Sequence, residues 1–124
     1  MSTNILYRDL SYQIIGVCFT VHNKLGCALP EHIYNRSLAI EFDKLGIPSA
    51  QQTKFDVHYH DERVGHFFTD LIVDNKIILE LKSCEGIFPH HQSQLLTYLS
   101  VSRLKVGYIV NFGLRSLQFK RLIL

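Results

Sequence analysis

Few of the features that mark the simplest functional classes occur in this chain. Its three cysteines, Cys18, Cys27 and Cys84, include no Cys-x-x-Cys pair, so the usual zinc-site and dithiol spacings are missing. An odd count without a leader makes a poor disulfide framework, and reduced thiols in a cytoplasmic setting are expected. The first residues lack a basic stretch followed by an apolar run, and no run reaches membrane-spanning length, so no membrane partner is expected. Internal repeats, low-complexity tracts and linkers are also missing, which predicts one domain over residues 1–124. Charge is nearly balanced: a formal net charge of +2 permits contact with a polyanion but does not argue for it.

What is present is apolar sequence in periodic form. Hydrophobic residues make up 47% of the chain and charged residues 19%, too apolar for disorder and enough for a core. Residues 9–25 read as a helix with Ile14, Cys18, Val21 and Leu25 at helical spacing, stopped by Gly26. A second helix is expected from Pro30 to Leu45, ended by Gly46 and Pro48, with Tyr34, Leu38, Phe42 and Leu45 inward. Glu31, three residues before Tyr34, falls on that inward face; the helix dipole alone would also favour a carboxylate there. Residues 51–60 alternate as a half-exposed strand. Its His58-x-His60 pair finds no third metal ligand at a fitting spacing and reads as a polar strand face.

The decisive stretch is FFTDLIVDNKIILELKS, residues 67–83. It reads as two doubly buried strands around a polar turn, into which the chain places Asp70, Glu80 and Lys82. Such charges are costly there unless paired or bound to a metal. Glu80 and Lys82, two apart, leave a strand by the same face. Register decides whether Asp70 joins them. A two-residue loop, Asp74-Asn75, would put Glu80 opposite Thr69 and on the other face from Asp70. A three-residue loop, Asp74-Asn75-Lys76, puts Asp70 opposite Glu80, and Asn tolerates the left-handed conformation such loops use. Two carboxylates and an ammonium then converge, as a divalent-metal site or as a structural ion pair.

A third helix is expected from Pro89 to Ser102, with Leu95, Leu96 and Leu99 inward and His91, Gln94 and Tyr98 on another face. Lys105 to Phe112 reads as a buried strand and Ser116 to Leu124 as an edge strand whose alternation slips at Lys120-Arg121, the mark of a bulge or an exposed end. The order helix, helix, three strands, helix, two strands is that of an α/β sandwich with a mixed central sheet.

With these residues in place, nearly the whole chain resembles the GxxExxY family, a branch of the PD-(D/E)xK nuclease superfamily. The opening LSYQIIGVCFTVHNKLG is similar to the family's first helix, ALPEHIY (28–34) to its naming motif with Ala28 in place of glycine, and Asp70 with Glu80-Leu81-Lys82 to the nuclease signature. HQSQLLTYL (91–99) and VGYIVNFG (106–113) resemble its Gln-containing helix and the strand after it. The resemblance implies a restriction-endonuclease-like α/β sandwich, a mixed sheet flanked by helices. It implies a nuclease hydrolysing phosphodiester bonds in DNA or RNA. Asp70, Glu80, the Leu81 carbonyl and Glu31 would hold Mg²⁺, with Mn²⁺ as a substitute. Lys82 would orient the attacking water, and Gln94 would touch water or phosphate. The alternatives are an inactive nucleic-acid-binding or repair-accessory module and a structural homodimer. A homodimer paired along residues 116–124 is also expected of a minimal duplex cutter.

Overall fold

The structure is a computed structural model and describes residues 5–124. Helices α1 (Arg8–Leu25) and α2 (Glu31–Lys44) precede strands β1 (Ser49–Tyr59), β2 (Glu62–Val73) and β3 (Ile77–Lys82). Helix α3 (Pro89–Ser102) then crosses to β4 (Val106–Asn111), and β5 (Gln118–Ile123) closes the sheet. The strands lie in the order β1-β2-β3-β4-β5. β3 and β4 are parallel and every other pair is antiparallel. A parallel pair cannot be joined by a tight turn, and α3 supplies the crossover.

Alternation along the strands sends side chains into two cores. Leu71, Val73, Leu79, Leu81, Tyr108, Val110 and Phe112 meet Ile14, Cys18 and Val21 of α1 and Tyr34, Leu38 and Phe42 of α2. Ile72, Ile78 and Ile109 meet Leu95 and Leu99 of α3 on the other face. The strict alternation on β3 puts Ile78, Glu80 and Lys82 on the α3 side.

Several expectations need correction. Leu45 is 56% exposed because α2 ends at Lys44 and the helical period no longer directs it. Leu96 is 36% exposed, since Leu95 and Leu99 already fill the narrow stripe of α3. Glu31 is exposed instead of inward, at the first turn of α2, where the apolar stripe has yet to begin. The β4–β5 ladder is regular from Val106↔Ile123 to Asn111↔Gln118, so Lys120-Arg121 marks an exposed edge without a bulge.

Candidate active site at the ends of β2 and β3

The β2–β3 hairpin settles the register. Val73 faces Ile77, Ile72 faces Ile78 and Leu71 faces Leu79, which leaves a turn of Asp74, Asn75 and Lys76. Asp74 and Asn75 both lie in the left-handed region, at φ 53°, where Asp and Asn are among the few tolerant residues. One step further along the ladder Asp70 stands opposite Glu80.

At that step the ladder stops and side chains take over its hydrogen bonds. The Leu81 N–H donates to Asp70 Oδ2 at 2.8 Å, and the Asp70 N–H donates to Glu80 Oε1 at 3.3 Å. Asn35 Nδ2, from α2, donates to the Asp70 carbonyl at 2.9 Å and anchors its main chain. The strand also changes phase here. Leu71 packs in the α1–α2 core, yet Phe67, four residues earlier, stacks on Tyr98 of α3 at 4.1 Å. A regular strand would keep both on one face. Gln52, beside this point on β1, has φ 52°. Local distortion of this kind re-aims side chains at functional strand ends.

The electrostatics follow from the geometry. Burial, and after it the Asp70 carboxylate, push the Glu80 carboxyl up to about 8, against the Asp70 N–H and the Lys82 ammonium. Lys82 nevertheless forms no ion pair. Among the described residues the pairs within 4.0 Å are Lys24–Glu41, Lys54–Asp56, Arg63–Asp56 and Lys76–Asp74, all away from this site. The structural ion pair that the sequence allows is therefore not formed.

Helix α3 brings further polar groups to the same side. The Tyr98 ring stacks on Phe67 of β2, and burial, then the Glu80 and Asp70 charges, push its hydroxyl above the ordinary tyrosine range; Gln94 stands one turn before it on α3. His91 is buried, and its Nδ1 accepts the Phe88 N–H at 3.1 Å, so a neutral ring carries its proton on Nε2. Burial, then His90 and Lys82, hold its imidazole below the ordinary histidine range. Glu31 approaches from the opposite side of the sheet. It lines a surface pocket with Ala28, Leu29, Pro30, His32 and Ser83, the residue after Lys82. Among the described residues no group of three or more His, Cys, Asp or Glu is gathered as a metal cluster, so Glu31 stands apart from the Asp70–Glu80 pair. Asn35 and Tyr98 are the neighbours that sequence reading did not assign to the site. The helical spacing of Glu31 and Asn35, and of Gln94 and Tyr98, is the signal that could have found them.

A family model described as the PD-(D/E)XK nuclease superfamily matches residues 8–122. The chain belongs to that superfamily. The crystal structure of SSO0001 shares the fold, with a TM-score of 0.55 at 16% identity over 74% of this chain and 48% of that one. The chain thus spans about half the length of SSO0001, and this likeness speaks for the fold alone. No curated protein matches the sequence.

PD-(D/E)XK nucleases usually use divalent metals, and the donor set here fits one. Asp70 and Glu80 present hard carboxylate oxygens side by side. A buried carboxyl raised by its neighbour's charge is a group that a divalent cation would return to its ionised form.

Proposed function

We propose that this PD-(D/E)XK protein is a metal-dependent nuclease of the GxxExxY type that hydrolyses phosphodiester bonds in DNA or RNA. One observation carries the reading. Among the described residues no cation lies within ion-pair distance of the two adjacent carboxyl groups where the β2–β3 ladder stops, and Lys82, on the same face, has no carboxylate within that distance. A structural ion pair would instead have joined Lys82 to one of these carboxylates.

Asp70 and Glu80 are the residues that would hold Mg²⁺ or Mn²⁺, with the Leu81 carbonyl as a further oxygen; Glu31, which stands apart from the pair, would reach the ion only through water. Such an ion supplies charge neutralisation at the phosphate and a more acidic water. The protein's own groups do the rest. The Leu81 N–H holds the Asp70 carboxylate, and Asn35 holds the Asp70 main chain, so the first acid cannot swing away. Lys82 brings a positive charge to the oxygens on which negative charge builds, and its ammonium donates to the attacking water. Gln94 and Tyr98 offer an amide and a hydroxyl to a phosphate oxygen or water on the α3 side. A second copy would pair along β5, an outer strand that exposes Phe119 and Ile123.

The test is a calorimetric Mn²⁺ titration beside a cleavage assay on single- and double-stranded DNA and RNA. The reading expects one divalent ion bound and metal-dependent cleavage of at least one substrate. Binding of nucleic acid without cleavage in Mg²⁺ or Mn²⁺ would leave an inactive binding module in its place.

A further inference from the structure

The proposed chemistry draws on both faces of the sheet, and something must hold the two halves together. Glu80 and Lys82 point to the α3 face, whereas Glu31 opens α2, which packs on the other face. The corner at the end of β4 touches both.

Asn111 lies beside Lys82 in the parallel ladder and is fully buried. Its amide is used completely. Oδ1 accepts the N–H groups of Cys84 at 3.1 Å and Gly113 at 3.0 Å. Nδ2 donates to the Cys84 carbonyl at 3.0 Å and to Gln118 Oε1 at 3.2 Å. The chain two residues after Lys82 is thus clamped as if by one more ladder pair. A buried amide with all four of these bonds made leaves little freedom to what it holds.

Phe112, the next residue, turns to the opposite face. Its N–H donates to the Lys82 carbonyl at 2.8 Å, and its carbonyl accepts the Ala28 N–H at 3.0 Å. Its ring stacks on Tyr34 at 4.3 Å and 12°. The Tyr34 hydroxyl in turn donates to the Gly26 carbonyl at 2.7 Å and accepts the Leu29 N–H at 3.1 Å. The loop that delivers Glu31 is therefore pinned at three points, Ala28 to Phe112 directly and Gly26 and Leu29 through the Tyr34 hydroxyl, whose ring stacks on Phe112. Gly113 completes the corner, since a Cβ there would overlap the Cys84 main chain.

We infer that Asn111 and Phe112 are a pair of positioning residues that fix the distance between Lys82 and the Glu31 loop, one acting on each face of the sheet. The inference rests on the nuclease reading for its consequence in catalysis, but the mechanical coupling is independent of it. Two variants test it, Asn111→Ser and Phe112→Leu, the second being the milder change in volume. Hydrogen exchange is followed at the Cys84 and Gly113 amides on one side and at Ala28 and Leu29 on the other. Each variant should speed exchange on both sides by about tenfold or more, with Leu71 and Leu79 unchanged. If each variant loosens only its own side, the coupling is refuted.

The catalytic arm uses saturating Mn²⁺ and substrate. Asn111→Ser should lower kcat by about tenfold or more with KM and Mn²⁺ affinity held, because misplaced groups act after binding. In a Lys82→Ala background the same change should add little, since neighbours acting through one group are not additive. Full additivity would overturn the role assigned to Asn111. A wild type that never cleaves would end the nuclease reading by itself, and the exchange experiment would still decide whether the corner couples the two loops.

Discussion

Strand β3 is treated differently along its two edges. Toward β4 it pairs without a break from Ile77 to Lys82, six residues in parallel register. Toward β2 only Ile77, Ile78 and Leu79 pair, and then carboxylates replace the ladder. The closed edge fixes where the backbone lies, and the open edge frees polar groups from their partners. A site built this way inherits the rigidity of a central strand without surrendering its functional groups to the sheet. The cost is visible at Glu80, a buried acid that the fold alone does not satisfy.

The strongest break in this comparison is at the open edge. Asp70→Ala should abolish both Mn²⁺ binding and cleavage. Lys82→Ala should retain Mn²⁺ binding and lose cleavage by a factor on the order of 10² or more, the effect of removing one stabiliser of developing charge. Glu31→Gln should fall between, since an amide still accepts a hydrogen bond from water. Calorimetry and the cleavage assay, run on the same preparations, read all three. Equal loss of Mn²⁺ affinity in the Asp70 and Lys82 variants would sink the division of roles.

The closed edge is broken by Gly113→Ala. The added methyl has no room against the Cys84 main chain, and backbone cannot yield as a side chain can. Overpacking of this kind costs about 1–3 kcal/mol, which a denaturant midpoint will resolve. Unchanged stability would mean that the corner after β4 is far more pliant than its hydrogen bonds imply.

Glu80→Gln tests the open edge through pH. In the metal-free protein the Glu80 carboxyl is raised from 4.5 to about 8, so the folded state binds more protons than the unfolded one between those values. Stability must then fall as pH rises from about 4.5 through about 8, the unfolded chain losing its proton first. Gln carries no charge and can still accept the Asp70 N–H. In a chelator at pH 8.5 the variant should therefore melt several degrees above wild type, while at pH 4.5 the two should nearly coincide. Mn²⁺ should raise the melting temperature of wild type and leave the variant unmoved. A variant less stable than wild type at pH 8.5 without metal would contradict the strained-acid account.

Much of this was legible because it is local or periodic. The stripes Ile14-Cys18-Val21 and Tyr34-Leu38-Phe42 are core as the helical period requires. That a left-handed turn falls at Asp74 and Asn75 was legible, but the choice between a two- and a three-residue loop, both of which these residues tolerate, is made by the register of the assembled hairpin. The outward turn of Glu31 was not legible, since helical spacing says nothing of where a helix overruns the sheet. Tyr98 and Asn111 lie inside the stretches 91–99 and 106–113 that carry the resemblance, but neither those stretches nor the spacing of Asn35 says what the three side chains meet. The Asn35 bond to Asp70 spans 35 residues, and the Asn111 bonds to Cys84 span 27, distances at which only the assembled sheet decides who meets whom. The change of phase between Phe67 and Leu71 is hidden for the same reason, because no residue in that stretch marks a break in alternation.

The smallest effect is expected at Ala28, where sequence resemblance asks for glycine. The structure supplies the physical reason: Ala28 lies at φ 66°, in the left-handed region, while its N–H donates to the Phe112 carbonyl. A Cβ in that conformation costs roughly 1–2 kcal/mol, and glycine gives part of this back through the greater freedom of its unfolded chain, about 0.4–1 kcal/mol. Ala28→Gly should therefore stabilise the protein by about 0.5–1 kcal/mol, a shift of a few degrees in melting temperature. The hydrogen bond to Phe112 is made by the main chain and survives the change, so Mn²⁺ affinity should be unaltered. Ala28→Val makes the opposite test, because a β-branched residue is worse in this region than alanine. If glycine lowers the melting temperature and valine does not, the loop holds its shape through side-chain packing at residue 28, and the strain argument fails there.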